Sequence, residues 1–281
     1  MTDPFGAFSP SPFQQRMRAA AHRLKPTYWG RRAASLLLGP AGGRAQRAYD
    51  VEIFGSQKAR LHPYDNICEK RVYLTPQLWD GEERALLREA ISRSRGGTFA
   101  FVDVGANVGL YTLFARAEAL RVNAALRGVA IEADPEMAAR LQFNLAASHA
   151  LHDITLFNCA ASDEEKALRF TVNKKSRGLS RVDKAGALTV NARPLHALTA
   201  AAGLDRIDAM KIDIEGHEYK TLDAFFKNAP ATLHPAMIIL EVSHEAEGAS
   251  GAALAIKAGY RQRLQTKRNA VFTLKNPMTV D

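Results

Sequence analysis

The sequence has few residues suited to covalent or metal cross-links and no long apolar segment. Only two of its 281 residues are cysteines, and neither Cys68 nor Cys159 belongs to a Cys-x-x-Cys or Cys/His pattern. This excludes a small disulfide-stapled scaffold and predicts reduced thiols in a cytosolic compartment. No run approaches the roughly 20 apolar residues that span a bilayer. Residues 1–15 also lack the pattern of a secretory signal, so we expect a cytoplasmic protein.

The composition is that of a folded protein, but the charge is unevenly distributed. Hydrophobic residues make up 47% and charged residues 24%, which excludes a disordered or collagen-like chain. The net charge is +9, and residues 1–50 hold eight Lys and Arg against two Asp. Such an excess permits contact with a polyanion or an anionic membrane without establishing it. We predict a loosely packed basic extension or helical arm over residues 1–48 and one domain over residues 49–281.

From residue 98 onward, apolar strands alternate with helices, which predicts an α/β fold with a mainly parallel sheet. The predicted core strands lie at 99–104, 128–131, 154–158, 209–214 and 236–242, and the helices at 110–120, 135–148 and 217–227. Further strands are predicted at 168–172, 188–191, 261–265 and 270–274, with a helix at 251–258. Upstream, the pattern predicts helices near 13–24, 30–38 and 79–94, and strands at 51–54, 59–61 and 71–74.

The most specific local pattern is Asp103-Val-Gly105-Ala-Asn107-Val-Gly109, in which an apolar strand leads into a glycine turn and then a helix. Glycine lets the backbone approach a ligand closely and leaves the amides of the helix N-terminus available. The spacing differs from the G-x-G-x-x-G of dinucleotide sites. An aspartate two residues before the first glycine suits a cationic group better than a pyrophosphate.

Two further acids follow the next two predicted strands. Glu132 ends the second strand, 23 residues after Gly109, a distance typical of a strand–helix–strand unit in which the acid accepts both hydroxyls of a ribose. Asp134 precedes Pro135 and has the pattern of a helix N-cap. Asp163 follows the third strand, where an acid can accept a hydrogen bond from the exocyclic amine of adenine.

The fourth core strand carries charges on one face. Alternation places Lys211, Asp213 and Glu215 on the same side, where they either line a cleft or form a structural ion network. His217 follows at the strand end, and Glu241 ends the fifth strand with His244 just beyond it. These acids and histidines are candidate bases, with Lys211 orienting Asp213 or stabilising a developing alkoxide. No metal-ligand set stands out, and we predict no metal site.

Together these motifs resemble the FkbM-type family of S-adenosylmethionine-dependent methyltransferases over about residues 50–275. The resemblance rests on D-V-G-A-N-V-G-L-Y-T, E-A-D-P, N-C-A-A-S-D, the G-L-S at 178–180, K-I-D-I-E-G-H-E and I-L-E-V. It implies a Rossmann-like sheet of seven strands with the last one antiparallel, helices on both faces, and a core at about residues 95–276. It also implies that S-adenosylmethionine binds at Asp103, Gly105, Asn107, Gly109, Glu132 and Asp163.

We therefore expect methyl transfer to a hydroxyl of a sugar, a glycan or another small hydroxylated metabolite. The catalytic candidates are Lys211, Asp213, Glu215, His217 and Glu241. One alternative is a nucleic-acid methyltransferase. Two acids at the end of the fourth core strand disfavour it, because they would repel phosphate. Another is a non-catalytic module whose residues 13–38 contact the inner face of a membrane. The sequence indicates neither the acceptor nor the oligomeric state.

Overall fold

The structure, a computed structural model, describes residues 3–171, 181–182, 188–243 and 250–275. Helices α1 (Pro12–His22) and α2 (Tyr28–Leu37) come first. They are followed by the antiparallel hairpin of β1 (Tyr49–Ile53) and β2 (Gln57–Leu61). Two helices then lead into the main sheet, α3 (Ile67–Leu74) and α4 (Gly81–Ser92), with a short 3-10 turn at Pro76–Leu78 between them.

A seven-stranded sheet forms the centre of the molecule. Its strands are β3 (Thr98–Val104), β4 (Ala125–Ile131), β5 (Ile154–Phe157), β10 (Ala209–Ile212), β11 (Met237–Glu241), β12 (Tyr260–Gln265) and β13 (Asn269–Leu274). The spatial order is β12-β13-β11-β10-β3-β4-β5, and β13 pairs antiparallel with both of its neighbours. The predicted Rossmann-like α/β fold, with its last strand antiparallel, is confirmed.

Alternating side chains of the strands pack into two separate hydrophobic cores, one on each face of the sheet. Phe99 and Phe101 of β3 pack in one cluster, whereas Ala100, Val102 and Val104 pack in the other. Because both faces are covered, the strand is apolar from Phe99 to Val102, as expected for a buried parallel strand. The flanking helices are α5 (Leu110–Arg121) and α6 (Pro135–Ala147) on the first face, and α7 (Leu195–Ala201), α8 (Glu218–Asn228) and α9 (Gly251–Lys257) on the second.

Two of the further predicted strands belong to a second, smaller sheet. It contains β6 (Ala160–Ser162), β7 (Lys166–Thr171), β8 (Arg181–Val182) and β9 (Leu188–Pro194), in the order β6-β9-β7-β8. The predicted strands at 168–172 and 188–191 correspond to β7 and β9. Most of the turn-rich stretch between them, including the G-L-S pattern at 178–180, lies outside the described residues.

The predicted helical arm is present as α1 and α2, but the N-terminal segment is not loosely packed. Asp50 of β1 is fully buried and accepts hydrogen bonds from the backbone amides of Gly6 and Phe8 at 2.8 and 3.1 Å. The same carboxylate pairs with Arg60 at 2.7 Å. Arg18 of α1 is buried as well, and its Nε donates to the carbonyl of Tyr73 in α3. These buried polar contacts fix the segment to the domain, although whether residue 48 ends a separate unit stays a prediction.

The strand predicted at 71–74 is also wrong, since these residues end helix α3. The side chain of Asn66 accepts hydrogen bonds from the amides of Cys68 and Glu69 and so caps the helix. Asn66 is a favoured N-cap residue, but the apolar Val72 and Tyr73 led to the strand prediction. Among the described helices, none combines the length and apolar content that crossing a bilayer requires.

Candidate functional site

A cavity that is partly open to solvent lies at the carboxyl ends of β3, β4 and β10. In open α/β sheets this edge is where ligands bind. Of the predicted site residues, the cavity is lined by Asp103, Gly105, Asn107, Glu132, Lys211, Asp213, Glu215 and His217. The sequence motifs that were far apart along the chain thus converge on one space.

The turn after β3 requires glycine at its first position. Gly105 has a φ of +77°, and a Cβ there would lie 1.9 Å from the carbonyl oxygen of Asp213. The close approach is possible only without a side chain. Asn107, two residues on, is also left-handed with a φ of +53°. Its side chain accepts from the Val108 amide and from the Asn66 side chain, which holds the turn against the start of α3.

Asp103 is buried at the end of β3 and tied to helix α5. One carboxylate oxygen accepts from both the backbone amide and the hydroxyl of Thr112, at 3.0 and 2.7 Å. Burial raises the pKa of Asp103, and the positive charge of Lys211 opposes that rise. The carboxylate therefore joins the strand end to the helix start while also facing the cavity.

Glu132 bridges the glycine turn and the start of α6. Its two oxygens accept from the amides of Asn107 and Asp134 at 2.7 and 2.8 Å. Burial raises the pKa of Glu132 to about 7, although both amide hydrogen bonds favour the charged form. Asp134 caps α6 by accepting from the Glu136 amide, which agrees with its predicted structural role.

Two predicted cofactor residues do not line the cavity. Gly109, with a φ of +84°, begins α5, and a Cβ there would lie 2.2 Å from a methyl group of Leu141 in α6. Its absent side chain therefore allows close packing of the two helices. Asp163 bonds instead to the Ser162 hydroxyl and to Lys166, which lower its pKa to about 2. A donor contact for either residue stays a prediction.

Lys211 and Asp213 form an ion pair in the cavity wall, with 2.8 Å between Nζ and Oδ2. The Lys211 side chain is only 7% exposed and its ammonium lies 5.0 Å from the centre of the Tyr111 ring. Burial lowers the pKa of Lys211, but Asp213 and Asp103 outweigh it and raise the net value. The lysine thus stays charged and holds the Asp213 carboxylate in one orientation.

Glu215 and His217 lie on the loop between β10 and α8, and both are half-buried. Glu215 has a left-handed backbone with a φ of +53°. Burial, and then the carboxylates of Asp213 and Glu218, raise the pKa of Glu215 to about 7. Burial, and then Lys220, lower the pKa of His217. Both groups face the cavity, and the lowered pKa of His217 favours its uncharged form.

Glu241 lies behind this wall rather than in it. Its Oε1 accepts from the amide and the hydroxyl of Ser243, and its Oε2 is buried with no hydrogen-bond partner among the described residues. Burial, and then Asp213 and Glu218, raise the pKa of Glu241 to about 8. His244, the other candidate base on this strand, lies outside the described residues.

One group of three acids in the described chain has the spacing of a metal site. Ligand atoms of Asp213, Glu218 and Glu241 lie within 4.8 Å of one another, a distance that suits a divalent cation. Both Glu218 oxygens, however, accept from the Ile214 and Gly216 amides, and Asp213 pairs with Lys211. Protein groups therefore already satisfy the carboxylates of Glu218 and Asp213. For this reason we assign no metal here.

Sequence reasoning missed the wall that the upstream helices contribute. Cys68 of α3, Trp79, Asp80 and Tyr111 all line the cavity. The Tyr111 hydroxyl donates to Asp80 at 3.0 Å, and its ring contacts that of Trp79. Burial, and then Glu83, raise the pKa of Asp80. Asp80 occupies the N-cap position of α4, but its side chain makes no cap hydrogen bond.

Comparison with known proteins shows the family of the chain. A family model described as the methyltransferase FkbM domain matches residues 103–261, a range that contains the glycine turn, Glu132, Asp163 and the charged end of β10. The matched range covers more than half of the chain. A search of the curated proteins found no match.

Several solved structures match this chain at low identity. A methyltransferase FkbM from Methylobacillus flagellatus KT is 16% identical, with a TM-score of 0.45 over 74% of this chain and 55% of that one. The present chain thus spans about half of that protein's length. The METTL16 methyltransferase domain is 10% identical (TM-score 0.49; 89% and 80% covered). A putative O-methyltransferase from Klebsiella pneumoniae is 13% identical (TM-score 0.40; 70% and 81% covered).

Proposed function

The chain belongs to the FkbM methyltransferase family, and from this premise we propose that it methylates a hydroxyl oxygen of a sugar, a glycan or another small hydroxylated molecule. The methyl donor of the family is S-adenosylmethionine. When bound, it supplies an electrophilic methyl group on a positively charged sulfonium. The observation that carries the proposal is the single cavity in which acids at the ends of three parallel strands meet beside the glycine turn.

The residues of the cavity fit this donor. Glu132 offers a buried carboxylate for ribose hydroxyls, and Ile131 and Met137 give an apolar wall suited to a flat base. Asp103 and Asp213 supply negative charge for the cationic end of the donor, which attracts a sulfonium in a site of low polarity. We assign Asn107 and Gly105 to the turn that shapes this space.

The acceptor side needs a base. A sugar hydroxyl is a weak acid, so its proton is best removed by a group whose pKa lies near the working pH. Glu215 fits this role because it lines the cavity, is half-buried and has a pKa of about 7. The hydroxyl proton passes to the Glu215 carboxylate, while the nearby Lys211 ammonium stabilises negative charge that develops on the oxygen. His217 is the second candidate base in the cavity.

The charge of the cavity supports an uncharged acceptor. Asp80, Asp213 and Glu215 all line it, whereas the ammonium of Lys211 is already paired. A phosphate backbone brought to this space meets several carboxylates and is repelled. Neutral hydroxyl groups instead find hydrogen-bond acceptors.

The donor is tested first, by calorimetry of the full chain with S-adenosylmethionine and its demethylated product. The acceptor is then sought by incubating the protein with labelled donor and a panel of glycans, nucleotide sugars and RNA. Transfer of label to a glycan or sugar supports the proposal. Label on RNA alone contradicts it and favours a nucleic-acid methyltransferase.

The base is tested with Glu215→Gln. We expect turnover to fall by roughly 10²–10⁴-fold, while the Kd for the donor changes little, because Glu215 acts on the acceptor. Asp223→Asn is the matched control, since Asp223 pairs with Lys227 on the outer surface of α8. Unchanged turnover in Glu215→Gln would remove this residue from the mechanism.

A further inference from the structure

Helix α2 presents large apolar side chains to solvent. Tyr28, Trp29 and Leu36 are 66%, 76% and 76% exposed. Side chains of this size are usually covered in soluble domains, and a group of them on one element marks an interaction surface. Arg31 and Arg32 are exposed on the same helix. We call these five residues the α2 face.

The exposure follows from how α2 is held. Its opposite side is buried through Gly30 and Ala34. A Cβ at Gly30 would lie 2.1 Å from the carbonyl oxygen of Lys25, so the helix sits directly against the preceding turn. The Thr27 side chain accepts from the Gly30 amide and caps the helix. The helix therefore has a fixed inner side, and the α2 face is its outer side.

The surroundings of the α2 face carry charge of one sign. Residues 4–49 contain eight Lys and Arg and no Asp or Glu. Arg16, Arg23 and Lys25 are exposed just before the helix. Arginine and lysine beside exposed tryptophan, tyrosine and leucine are the composition of helices that lie in the interface of an anionic bilayer.

We propose that the α2 face docks the enzyme on an anionic lipid surface, with Trp29 and Leu36 entering the headgroup region and the arginines contacting lipid phosphates. Tryptophan and tyrosine favour this depth because one end of each ring system is apolar and the other polar. Leu36 distinguishes a lipid from a nucleic acid, since a leucine gains from apolar surroundings but offers no ring for base stacking. A helix docked in this way lies parallel to the membrane surface, and its binding is reversible.

Vesicle flotation of the full chain tests the proposal. The probe vesicles are phosphatidylcholine alone, or phosphatidylcholine and phosphatidylglycerol in equal parts. We expect flotation with the anionic vesicles, weakened by salt, and little with the neutral ones. Equal flotation with both vesicles, or none with either, overturns the proposal.

Matched variants distinguish binding through the α2 face from nonspecific adsorption to vesicles. Trp29→Ser with Leu36→Ser removes the apolar part, and we expect at least tenfold weaker binding. Arg31→Gln with Arg32→Gln removes two charges at about fivefold each. The control is Leu120→Ser with Leu151→Ser, because these leucines are 52% and 51% exposed on other elements. Losses as large in the control as in the α2 variants contradict the proposal.

Tryptophan fluorescence gives a direct readout at the docking site. Trp29 is exposed, whereas Trp79, the other tryptophan, is only 3% exposed. Anionic vesicles should shift the emission of the wild-type protein to shorter wavelength, and Trp29→Phe should abolish the shift. Thermal unfolding confirms that each variant is folded. If the protein binds an RNA oligonucleotide but not the vesicles at the same salt concentration, the basic segment binds nucleic acid and the lipid proposal is wrong.

Discussion

Replacing Glu132 by glutamine tests the donor site most sharply. The carboxylate accepts two backbone amides and is proposed to accept the ribose hydroxyls of the donor. An amide keeps one acceptor oxygen and loses the charge, so we expect a loss of about 2 kcal/mol, or roughly 30-fold in Kd at pH 8. Calorimetric titration with the demethylated donor measures this without any acceptor.

The pH dependence provides a second readout of the same residue. Glu132 has a pKa of about 7 in the free protein, and ribose binding requires the ionised form. The wild-type Kd should therefore rise as the pH falls below about 7, by up to tenfold per unit, and the Glu132→Gln variant should lose this slope.

Folding stability should respond to pH in the opposite direction. The pKa of Glu132 is raised from its usual 4.5, so the folded chain holds a proton that the unfolded chain releases. Its contribution to the free energy of unfolding is present below about 4.5 and is lost as the pH rises to about 7.

Glu218→Gln is the matched control for the structural part of the change. Glu218 also accepts two backbone amides, but it does not line the cavity, so any loss through the amide contacts alone should appear in both variants. A wild-type Kd and a wild-type pH slope in Glu132→Gln would refute the assignment of this carboxylate to the donor.

Two further predictions concern the N-terminal segment and the glycine turn. Asp50→Asn leaves the buried Arg60 without its charged partner and should lower the free energy of unfolding by about 3 kcal/mol in urea titrations. Burial opposes ionisation of Asp50, but hydrogen bonds from Arg60 and two backbone amides lower its pKa. The contribution of Asp50 to the free energy of unfolding should therefore persist above pH 3.8 and vanish as the pH falls through the lowered pKa. An unchanged urea midpoint of Asp50→Asn contradicts this account of the buried pair. Gly105→Ala places a methyl group 1.9 Å from a carbonyl oxygen and should weaken donor binding at least tenfold, whereas Gly109→Ala meets only a flexible side chain outside the cavity and should mainly lower thermal stability. Equal donor affinities in the two alanine variants would disprove the distinction.

The core of the fold was predictable because its signals are local. Strand β3 is apolar on both faces and ends in an acid and a glycine turn, so its position, its parallel partners and its place beside a ligand follow from a few residues. The charges on β10 were likewise visible as Lys211 and Asp213 at alternate positions. Their convergence on one cavity follows from the parallel topology, which brings all strand ends to the same edge.

The parts that sequence reasoning missed depend on contacts between distant segments. Asp80 lies within the helix predicted at 79–94, yet its carboxylate accepts a hydrogen bond from the hydroxyl of Tyr111. Arg18 lies within the predicted basic extension, yet it is buried and donates to a backbone carbonyl of α3. Neither partner can be read from spacing, because a hydroxyl donor or a carbonyl acceptor in a distant segment leaves no pattern around Asp80 or Arg18. Gly109 lies outside the cavity and allows close packing of α5 and α6. A sequence does not distinguish a glycine required for helix packing from one required for a ligand, and a donor contact of Gly109 stays a prediction.

The contact between the Gly105 turn and the Asp213 carbonyl has a mechanical consequence. Two loops from different strands touch there without any intervening side chain, so neither can be displaced without displacing the other. A shift of the Gly105 turn therefore acts directly on the segment that carries the carboxylate paired with Lys211. In the proposed mechanism this contact couples donor binding to acceptor positioning, and an acceptor of a different size has to be accommodated by the opposite wall, where Cys68, Trp79 and Asp80 lie.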